Sequence, residues 1–161
     1  MKEIFLHPGE YCVGHADCRI RTVLGSCVSI TLWHAGRRIG AMSHFLLSSR
    51  GPGDHGALDA RYAGEAMSLM LRDLVAEQVN PRECQAKLFG GGNMFPGLAS
   101  RNLENIGRKN GEAARMLVRA QNIPIVSESL LGVGHRQVIF DISSGDVWLR
   151  QPRTGRVSGR P

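Results

Sequence analysis

Residues 23–47 read VLGSCVSITLWHAGRRIGAMSHFLL, and this stretch decides how the first part of the chain folds. Residues 23–33 and residues 38–47 are rich in β-branched and other apolar side chains, which favour strands. The four residues between them, 34–37, include a glycine and are typical of a short turn. The stretch therefore predicts an antiparallel β-hairpin.

The register of this hairpin brings a thiol and an imidazole together. If Ala35 and Gly36 are the two turn residues, Cys27 lies directly opposite His44 on one face. Their Cβ atoms are then about 4.5–5.5 Å apart. At that separation the imidazole can take the thiol proton, or an imidazolium can stabilise the thiolate. The alternative is a buried cysteine that packs beside a hydrogen-bonded histidine.

The residues around Cys27 suit a catalytic thiol. Gly25 can take backbone conformations closed to other residues, although an ordinary bulge or bend would also explain it. With the small Ser26 beside it, the nearby N–H groups are free to bind an oxyanion. Thr22 and Ser43 also carry hydroxyl groups close enough in sequence to orient the imidazole.

The rest of the chain combines further strands with two helices. Apolar stripes with a helical period predict helices over residues 57–78 and 105–121. Loops rich in glycine and proline are expected over residues 48–56 and 90–97. Strands interrupted by two helices predict the α+β class, with mixed or antiparallel sheets. The remaining short strands are expected at residues 87–89, 123–126, 137–142 and 147–150.

Composition narrows the classes of protein. The 161 residues are 42% hydrophobic and 21% charged, which is typical of one globular domain. We expect no membrane insertion and no secretion, because no apolar run is long enough for a span and the N-terminus lacks an apolar signal region. A cytoplasmic location follows, and the four cysteines are then expected as free thiols.

The basic charge is concentrated at the C-terminus. The net charge is +6, and residues 147–161 contribute +4 of it through four arginines and no acidic residue. We interpret residues 1–152 as the folded domain and residues 153–161 as a basic flexible tail. A basic face interleaved with aromatic residues would indicate a nucleic-acid partner, and the sequence has no such face. We therefore expect no nucleic-acid partner.

Five blocks of the sequence carry a family resemblance. They are TVLGSCV at residues 22–28, GAMSHFLL at 40–47, AKLFGGGNMF at 86–95, NIGRKN at 105–110 and LGVGHRQVIFD at 131–141. In this order, and within a similarity that covers about residues 3–150, they make the chain similar to the CheD family of chemoreceptor glutamine deamidases. The combination of Leu-Gly-Ser-Cys with His-Phe is the most specific part of the resemblance.

The resemblance implies an enzyme that hydrolyses glutamine side-chain amides of methyl-accepting chemotaxis receptors, in their cytoplasmic helical domain. The product is glutamate, ammonia is released, and a cysteine thioester is the intermediate. It implies Cys27 as the nucleophile and His44 as the general base. It also implies a layered α/β sandwich similar to the catalytic domain of the cytotoxic necrotizing factor toxins, no metal or organic cofactor, and a CheC-type phosphatase as a further partner.

The third catalytic residue departs from the pattern of some family members. Those members carry a threonine six positions before the cysteine, where this chain has Arg21, and the threonine here is Thr22. We assign Thr22 as the third catalytic residue. Ser26 and Gly25 are candidates for binding the substrate or the oxyanion. Asn93 is a further candidate for the substrate amide, although a role in its own turn is the simpler interpretation.

Two other classes of function stay open. His7, Cys12, His15 and Cys18 are zinc-ligand types close together in sequence, but no Cys-x-x-Cys pair accompanies them. A non-catalytic regulatory module that binds receptors or CheC could use the same fold without turnover. A phosphate-binding loop at residues 90–92 is excluded, because no Gly-Lys-Ser/Thr follows the glycines.

Overall fold

The structure is a computed structural model that describes residues 1–97 and 101–151, apart from the side chains of residues 101–105. The expected tail over residues 153–161 lies outside this described part. The helices are α1 (Ala63–Ala76) and α2 (Arg101–Ala120), with a 3-10 turn at Pro81–Glu83. The strands are β1 (Lys2–Phe5), β2 (Tyr11–Gly14), β3 (Cys18–Leu24), β4 (Val28–His34), β5 (Ile39–Ser43), β6 (Gln85–Gly90), β7 (Ile125–Leu130), β8 (Arg136–Asp141) and β9 (Val147–Arg150).

The strands form two mixed sheets. The first sheet has the strand order β1-β3-β8-β9, and the second has the order β2-β5-β4-β6-β7. Strand β1 pairs parallel with β3, and β6 pairs parallel with β7. The other pairs of neighbouring strands are antiparallel. The predicted α+β class with mixed sheets is confirmed.

Two hydrophobic clusters divide the interior into layers. The cluster between the sheets joins Ile20 and Phe140 of the first sheet to Met42 and Phe89 of the second. The other cluster joins the second sheet to the helices, through the apolar residues of β4, β6, α1 and α2. The layers therefore run sheet, sheet, helices. Both faces of the second sheet are covered, which explains why its central strand β4 is almost entirely buried.

The segment expected as one strand over residues 23–33 is two strands in different sheets. Strand β3 ends at Leu24 in the first sheet, and β4 begins at Val28 in the second. The expectation of one uninterrupted strand is wrong because β3 pairs with β1 and β8, not with the β4–β5 hairpin. Residues 25–27 carry the chain across from one sheet to the other.

The turn of the β4–β5 hairpin is longer than predicted. His34 pairs with Ile39, so four residues, 35–38, form the turn where the sequence predicted two. The N–H of Arg37 donates to Nδ1 of His34 at 3.0 Å. Arg38 takes a left-handed φ of 48°. These local features close a wider turn than Ala-Gly alone would form.

The longer turn shifts the expected pairing of Cys27 with His44. In the observed register Val28 bridges Phe45, so the two candidate residues are offset and do not lie directly opposite each other. The predicted direct pairing is wrong by two positions. Because side chains alternate with a period of two, this shift leaves both side chains on the same face of the sheet.

The helices and the N-terminal strands also differ from expectation in their bounds. Helix α1 starts at Ala63 and not at residue 57, because the preceding segment bonds to the chain that follows His44. The Arg61 carbonyl accepts from the N–H groups of Leu46 and Leu47. Helix α2 begins at Arg101, four residues before the predicted start. Strands β1 and β2 were not predicted, because neither has the alternation of buried and exposed residues that β3 has.

Candidate active site

Cys27 lies on the crossover between the two sheets, and main-chain hydrogen bonds hold this crossover. The Gly92 N–H donates to the Gly25 carbonyl at 2.9 Å, and the Gly91 N–H donates to the Cys27 carbonyl at 2.9 Å. The Ser26 carbonyl accepts from the amide of a buried asparagine on α2 at 3.0 Å. All three carbonyls of the crossover are thus bound.

The amide N–H groups of the crossover are used differently from its carbonyls. Across the described part of the chain, the N–H groups of Ser26 and Cys27 donate to no acceptor of another residue, and the Cys27 N–H lies against its own thiol. Two N–H groups next to a half-buried thiol are the arrangement that binds an oxyanion in acyl-transfer enzymes. The expectation of an oxyanion site beside Cys27 therefore has donors available in the structure.

The glycine-rich segment after β6 packs directly against the crossover. A Cβ on Gly90, whose φ is +109°, would lie 2.2 Å from the Cys27 carbonyl oxygen. A Cβ on Gly92 would lie 2.5 Å from the Gly134 carbonyl oxygen. Both distances are far inside van der Waals contact, so only glycine fits. The triple glycine therefore allows the close approach of main-chain segments.

His44 follows the last residue of β5, and its main chain is fixed on both sides. Its N–H donates to the Glu10 carbonyl at 3.1 Å, and its carbonyl accepts from the Gly9 N–H at 2.8 Å. Its ring Nδ1 lies 2.7 Å from Oγ1 of Thr22, and that hydroxyl donates to the Leu6 carbonyl at 2.7 Å. Both His44 and Thr22 are at most 2% exposed.

This hydrogen-bond chain determines which ring nitrogen of His44 is free. A threonine hydroxyl has one proton, and the Thr22 proton is committed to the Leu6 carbonyl. The Thr22 oxygen must then accept, so His44 carries its proton on Nδ1. The other ring nitrogen, Nε2, is left as a lone-pair acceptor. A neutral imidazole in this tautomer can take a proton from a thiol.

Burial sets the resting charges of the pair. Burial lowers the pKa of His44 to about 4, with the nearby Glu10 carboxylate opposing part of this effect. Burial also raises the pKa of the Cys27 thiol, which its own backbone N–H partly opposes. At neutral pH both groups are therefore uncharged. Of the two possibilities raised by the sequence, the structure favours a neutral base over a thiolate–imidazolium pair.

Thr22 reaches His44 because of its place in β3. Along this strand Thr22 is buried, as are Ile20 and Leu24, whereas Arg21 is exposed. The side chain at position 21 points away from the layer that contains the imidazole. The threonine five positions before the cysteine is thus the one that can orient His44 in this chain.

The other site candidates have different positions. Oδ1 of Asn93 accepts from the Phe95 N–H at 2.9 Å, and the Asn93 main chain bridges Val133. Its side chain therefore stabilises its own turn, as the simpler interpretation expected. Met94 was not predicted: a Cβ on Gly25 would meet its sulfur at 3.0 Å. Met94 covers one side of the crossover and is partly exposed.

Asn110 is a site residue that sequence reasoning missed. It is the α2 residue that bonds the Ser26 carbonyl, and its Nδ2 also donates to the Leu46 carbonyl at 2.7 Å. One side chain thus links the crossover that carries Cys27 to the segment that follows His44. The signal was present in the fourth block of the family resemblance, but nothing in the spacing pointed to this role.

The four candidate zinc ligands do not form one cluster, although Cys12 and Cys18 pack in the same hydrophobic cluster. His7 bonds Glu10, His15 lies 2.7 Å from Glu77, and Cys18 donates to Asp17. The described residues contain no group of three or more His, Cys, Asp or Glu side chains that could hold a metal ion. The geometry therefore gives no support to the structural zinc site considered above.

Comparison with known proteins identifies the family. The family model described as CheD chemotactic sensory transduction matches residues 46–151. A protein of Albidiferax ferrireducens named "Probable chemoreceptor glutamine deamidase CheD 2" is 57% identical over 150 residues, which cover 92% of this chain and 87% of that protein. The chain belongs to the CheD family.

Other CheD relatives are similar along nearly the whole chain. A probable chemoreceptor glutamine deamidase of Dechloromonas aromatica is 45% identical over 95% of this chain and 89% of its own length. One from Pyrococcus horikoshii is 35% identical over 98% of this chain and 97% of its own. The CheD family model begins after both Cys27 and His44, whereas these alignments, by their coverage, extend well beyond its span.

Likeness to solved structures is weaker. The hypothetical protein YfiH of Bacillus licheniformis matches 72% of this chain and 46% of its own, with 14% identity and a TM-score of 0.41. That score is too low for any conclusion about this chain to rest on the likeness. No helix in the described ranges combines the length and apolar character that crossing a bilayer needs.

Proposed function

We propose that this chain hydrolyses glutamine side-chain amides of chemoreceptors to glutamate, with Cys27 as nucleophile, His44 as general base and Thr22 as the residue that orients it. The observation that carries the proposal is the Thr22–His44 hydrogen bond, because it leaves Nε2 of the imidazole as a proton acceptor on the face shared with Cys27. The names of the CheD relatives supply the substrate class.

The first half of the reaction forms a thioester. Nε2 of His44 takes the Cys27 thiol proton while Sγ attacks the carboxamide carbon of the substrate. The carbonyl π electrons move to oxygen, and the free N–H groups of Ser26 and Cys27 bind the resulting oxyanion. When the C–N bond breaks, His44 gives its proton to the leaving nitrogen, and ammonia departs.

The second half regenerates the enzyme. Neutral His44 takes a proton from water while the water oxygen attacks the thioester carbon, again with the oxyanion bound at the crossover. The C–S bond then breaks, the proton returns to the Cys27 sulfur, and glutamate leaves. The low pKa of His44 keeps the base unprotonated before each attack, and the bound oxyanion offsets its weak basicity.

The finer parts of the proposal concern context. We infer that residues 1–152 form one catalytic domain, that its layered arrangement is related to the cytotoxic necrotizing factor fold, and that it acts in the cytoplasm on the helical domain of receptors. A CheC-type phosphatase is the proposed regulator. Ser26 and Gly25 border the proposed oxyanion position, and the reaction as written uses no metal or organic cofactor.

The test is deamidation of a receptor cytoplasmic fragment, followed by ammonia release and by the mass shift at individual glutamines. We expect conversion by the wild type and none by Cys27→Ala or His44→Ala. Cys12→Ala is the matched control, because it removes another half-buried thiol and should retain activity. A folded wild type that binds the fragment without converting any glutamine would reject the enzyme and favour a regulatory binding module.

A further inference from the structure

Arg136 is a charged side chain inside the molecule, at the start of β8. It is 2% exposed, and burial of a guanidinium is costly unless hydrogen bonds compensate. Its Nη1 donates to the Gly90 carbonyl at 2.8 Å and also to the Ser129 carbonyl. These acceptors lie near the ends of the parallel strands β6 and β7, so the guanidinium connects the first sheet to one end of the second.

The Gly90 carbonyl connects Arg136 to the nucleophile through a single peptide group. The carbonyl of Gly90 and the N–H of Gly91 belong to the same planar unit. That N–H is the donor to the Cys27 carbonyl, at 2.9 Å. The Gly90 carbonyl also accepts from the Leu131 N–H at 2.8 Å, so this one peptide is held at its carbonyl end by Arg136 together with Leu131 and at its N–H end by Cys27.

The connection continues to the strand that carries the base. The Cys27 carbonyl and the Val28 N–H form the next peptide group, and this N–H donates to the Phe45 carbonyl at 3.1 Å. Phe45 directly follows His44. The peptide groups thus lie head to tail, from a cation to the residue beside the imidazole. Hydrogen bonds in such a chain polarise one another, and a charged donor strengthens the first of them.

We propose that Arg136 is a positioning residue of the active site, which fixes the Gly90–Gly91 peptide and through it the placement of Cys27 relative to His44. The inference rests on the proposed function for its catalytic meaning, but the hydrogen-bond chain it invokes is independent of the reaction. The alternative is that Arg136 only holds the two sheets together. Its loss would then lower the stability of the whole protein, and the crossover would not become more mobile than the rest of β4.

The experiment compares Arg136→Met, Arg136→Lys and the control Arg115→Met in the full chain. Arg115 is an arginine that pairs with Glu128 and has no bond to the crossover. The measurements are kcat and KM for deamidation of the receptor fragment, the iodoacetamide alkylation rate of Cys27, and amide hydrogen exchange at Gly91 and Val28 relative to Leu32.

We expect Arg136→Met to lower kcat by about tenfold or more, with KM nearly unchanged, because a charged hydrogen bond is lost. Exchange at Gly91 and Val28 should accelerate more than at Leu32, and Cys27 alkylation should change. Arg136→Lys keeps the charge and one donor, so it should recover part of kcat. The Arg115 variant should resemble the wild type in every measurement.

Two results would overturn the proposal. One is a folded Arg136→Met protein with wild-type kcat and alkylation, and the other is exchange that accelerates equally at all three amides. If Arg136→Met does not fold, Arg136→Lys decides: reduced kcat with faster exchange at Gly91 supports the role, and wild-type values reject it. If the wild type deamidates nothing, the proposed function fails, while exchange and alkylation still decide the positioning role.

Discussion

The two faces of the second sheet's central hairpin differ in what they contribute. On the helix side, Val28, Ile30 and Leu32 alternate along β4 and are completely buried in an apolar cluster. On the side between the sheets, the same strand begins beside Cys27 and presents Ser29, in a layer that also holds the imidazole. One face thus supplies only apolar packing, and the other combines apolar packing at Met42 and Trp33 with polar residues at the end of the hairpin beside Cys27.

The apolar face should give the largest loss of stability. Leu32→Ala removes a fully buried side chain from the helix-side cluster, and we expect the free energy of unfolding to fall by about 2–5 kcal/mol. Urea denaturation followed by circular dichroism measures this change. Leu149→Ala, at a position 40% exposed on β9, is the control and should change little.

The same Leu32 variant sharpens the contrast between the faces. The folded fraction of the variant should deamidate with nearly the wild-type kcat. The reason is that Leu32 makes no contact in the hydrogen bonds that hold Thr22, Cys27 and His44. A large loss of kcat in fully folded Leu32→Ala protein would show that the two faces are not separable.

The inter-sheet face should make stability depend on pH through His44. Its pKa is about 4 in the folded chain, below the ordinary 6.5, so the folded state binds fewer protons than the unfolded state between these values. Stability is then fully present above about pH 6.5 and is lost as the pH falls towards 4, by up to about 3 kcal/mol.

The measurement for this effect is the free energy of unfolding at neutral pH and near pH 5. His44→Asn is the comparison, because the asparagine Nδ2 takes the place of the imidazole Nδ1, can still donate to the Thr22 oxygen and does not titrate. We expect the wild type to lose more stability on acidification than this variant does. Parallel pH profiles would mean that His44 is not held in the neutral form by burial.

Loss of the Thr22 hydroxyl should have a smaller effect on stability than the two changes above, and it should also lower kcat. Thr22→Val leaves two buried groups without partners, the Nδ1–H of His44 and the Leu6 carbonyl, and should cost about 1–3 kcal/mol. The imidazole would also lose its fixed tautomer, so kcat should fall by about ten- to a hundredfold. Thr22→Ser keeps the hydroxyl and should restore most of both quantities; failure of serine to restore kcat would contradict the orienting role.

The sequence predicted that Cys27 and His44, the candidate catalytic pair, share a face, but it did not predict their exact register. Cys27 and His44 share a face although the turn was misjudged, because an error of two residues preserves the alternation of side chains. The crossover at residues 25–27 was missed, since β3 and β4 are both apolar and only their partners in different sheets separate them.

The supporting residues could not be predicted for a different reason. Asn110 and Arg136 act on main-chain carbonyls that are distant in sequence, such as those of Ser26 and Gly90. A carbonyl carries no side-chain signature, so no spacing or periodicity marks its partner. Thr22 was found because its hydroxyl lies close to Cys27 in sequence and because the family resemblance implies a threonine near this position.

Ser29 gives the finest test of what the polar face requires. In the observed register it lies across the hairpin from His44, and its buried hydroxyl has no hydrogen-bond partner among the described residues. Ser29→Ala should therefore leave kcat within about twofold and change stability by about 1 kcal/mol or less, in the stabilising direction. Urea denaturation and deamidation rates measure both.

The reason for serine at this position would then be its size. A small side chain across from the imidazole leaves room for the ring, so Ser29→Val, which adds volume in a fully buried site, should lower kcat where Ser29→Ala does not. If alanine alone lowered kcat more than about tenfold, the hydroxyl would have to contact the substrate or the attacking water. Polarity on this face would then extend beyond the three residues that carry the proposed reaction.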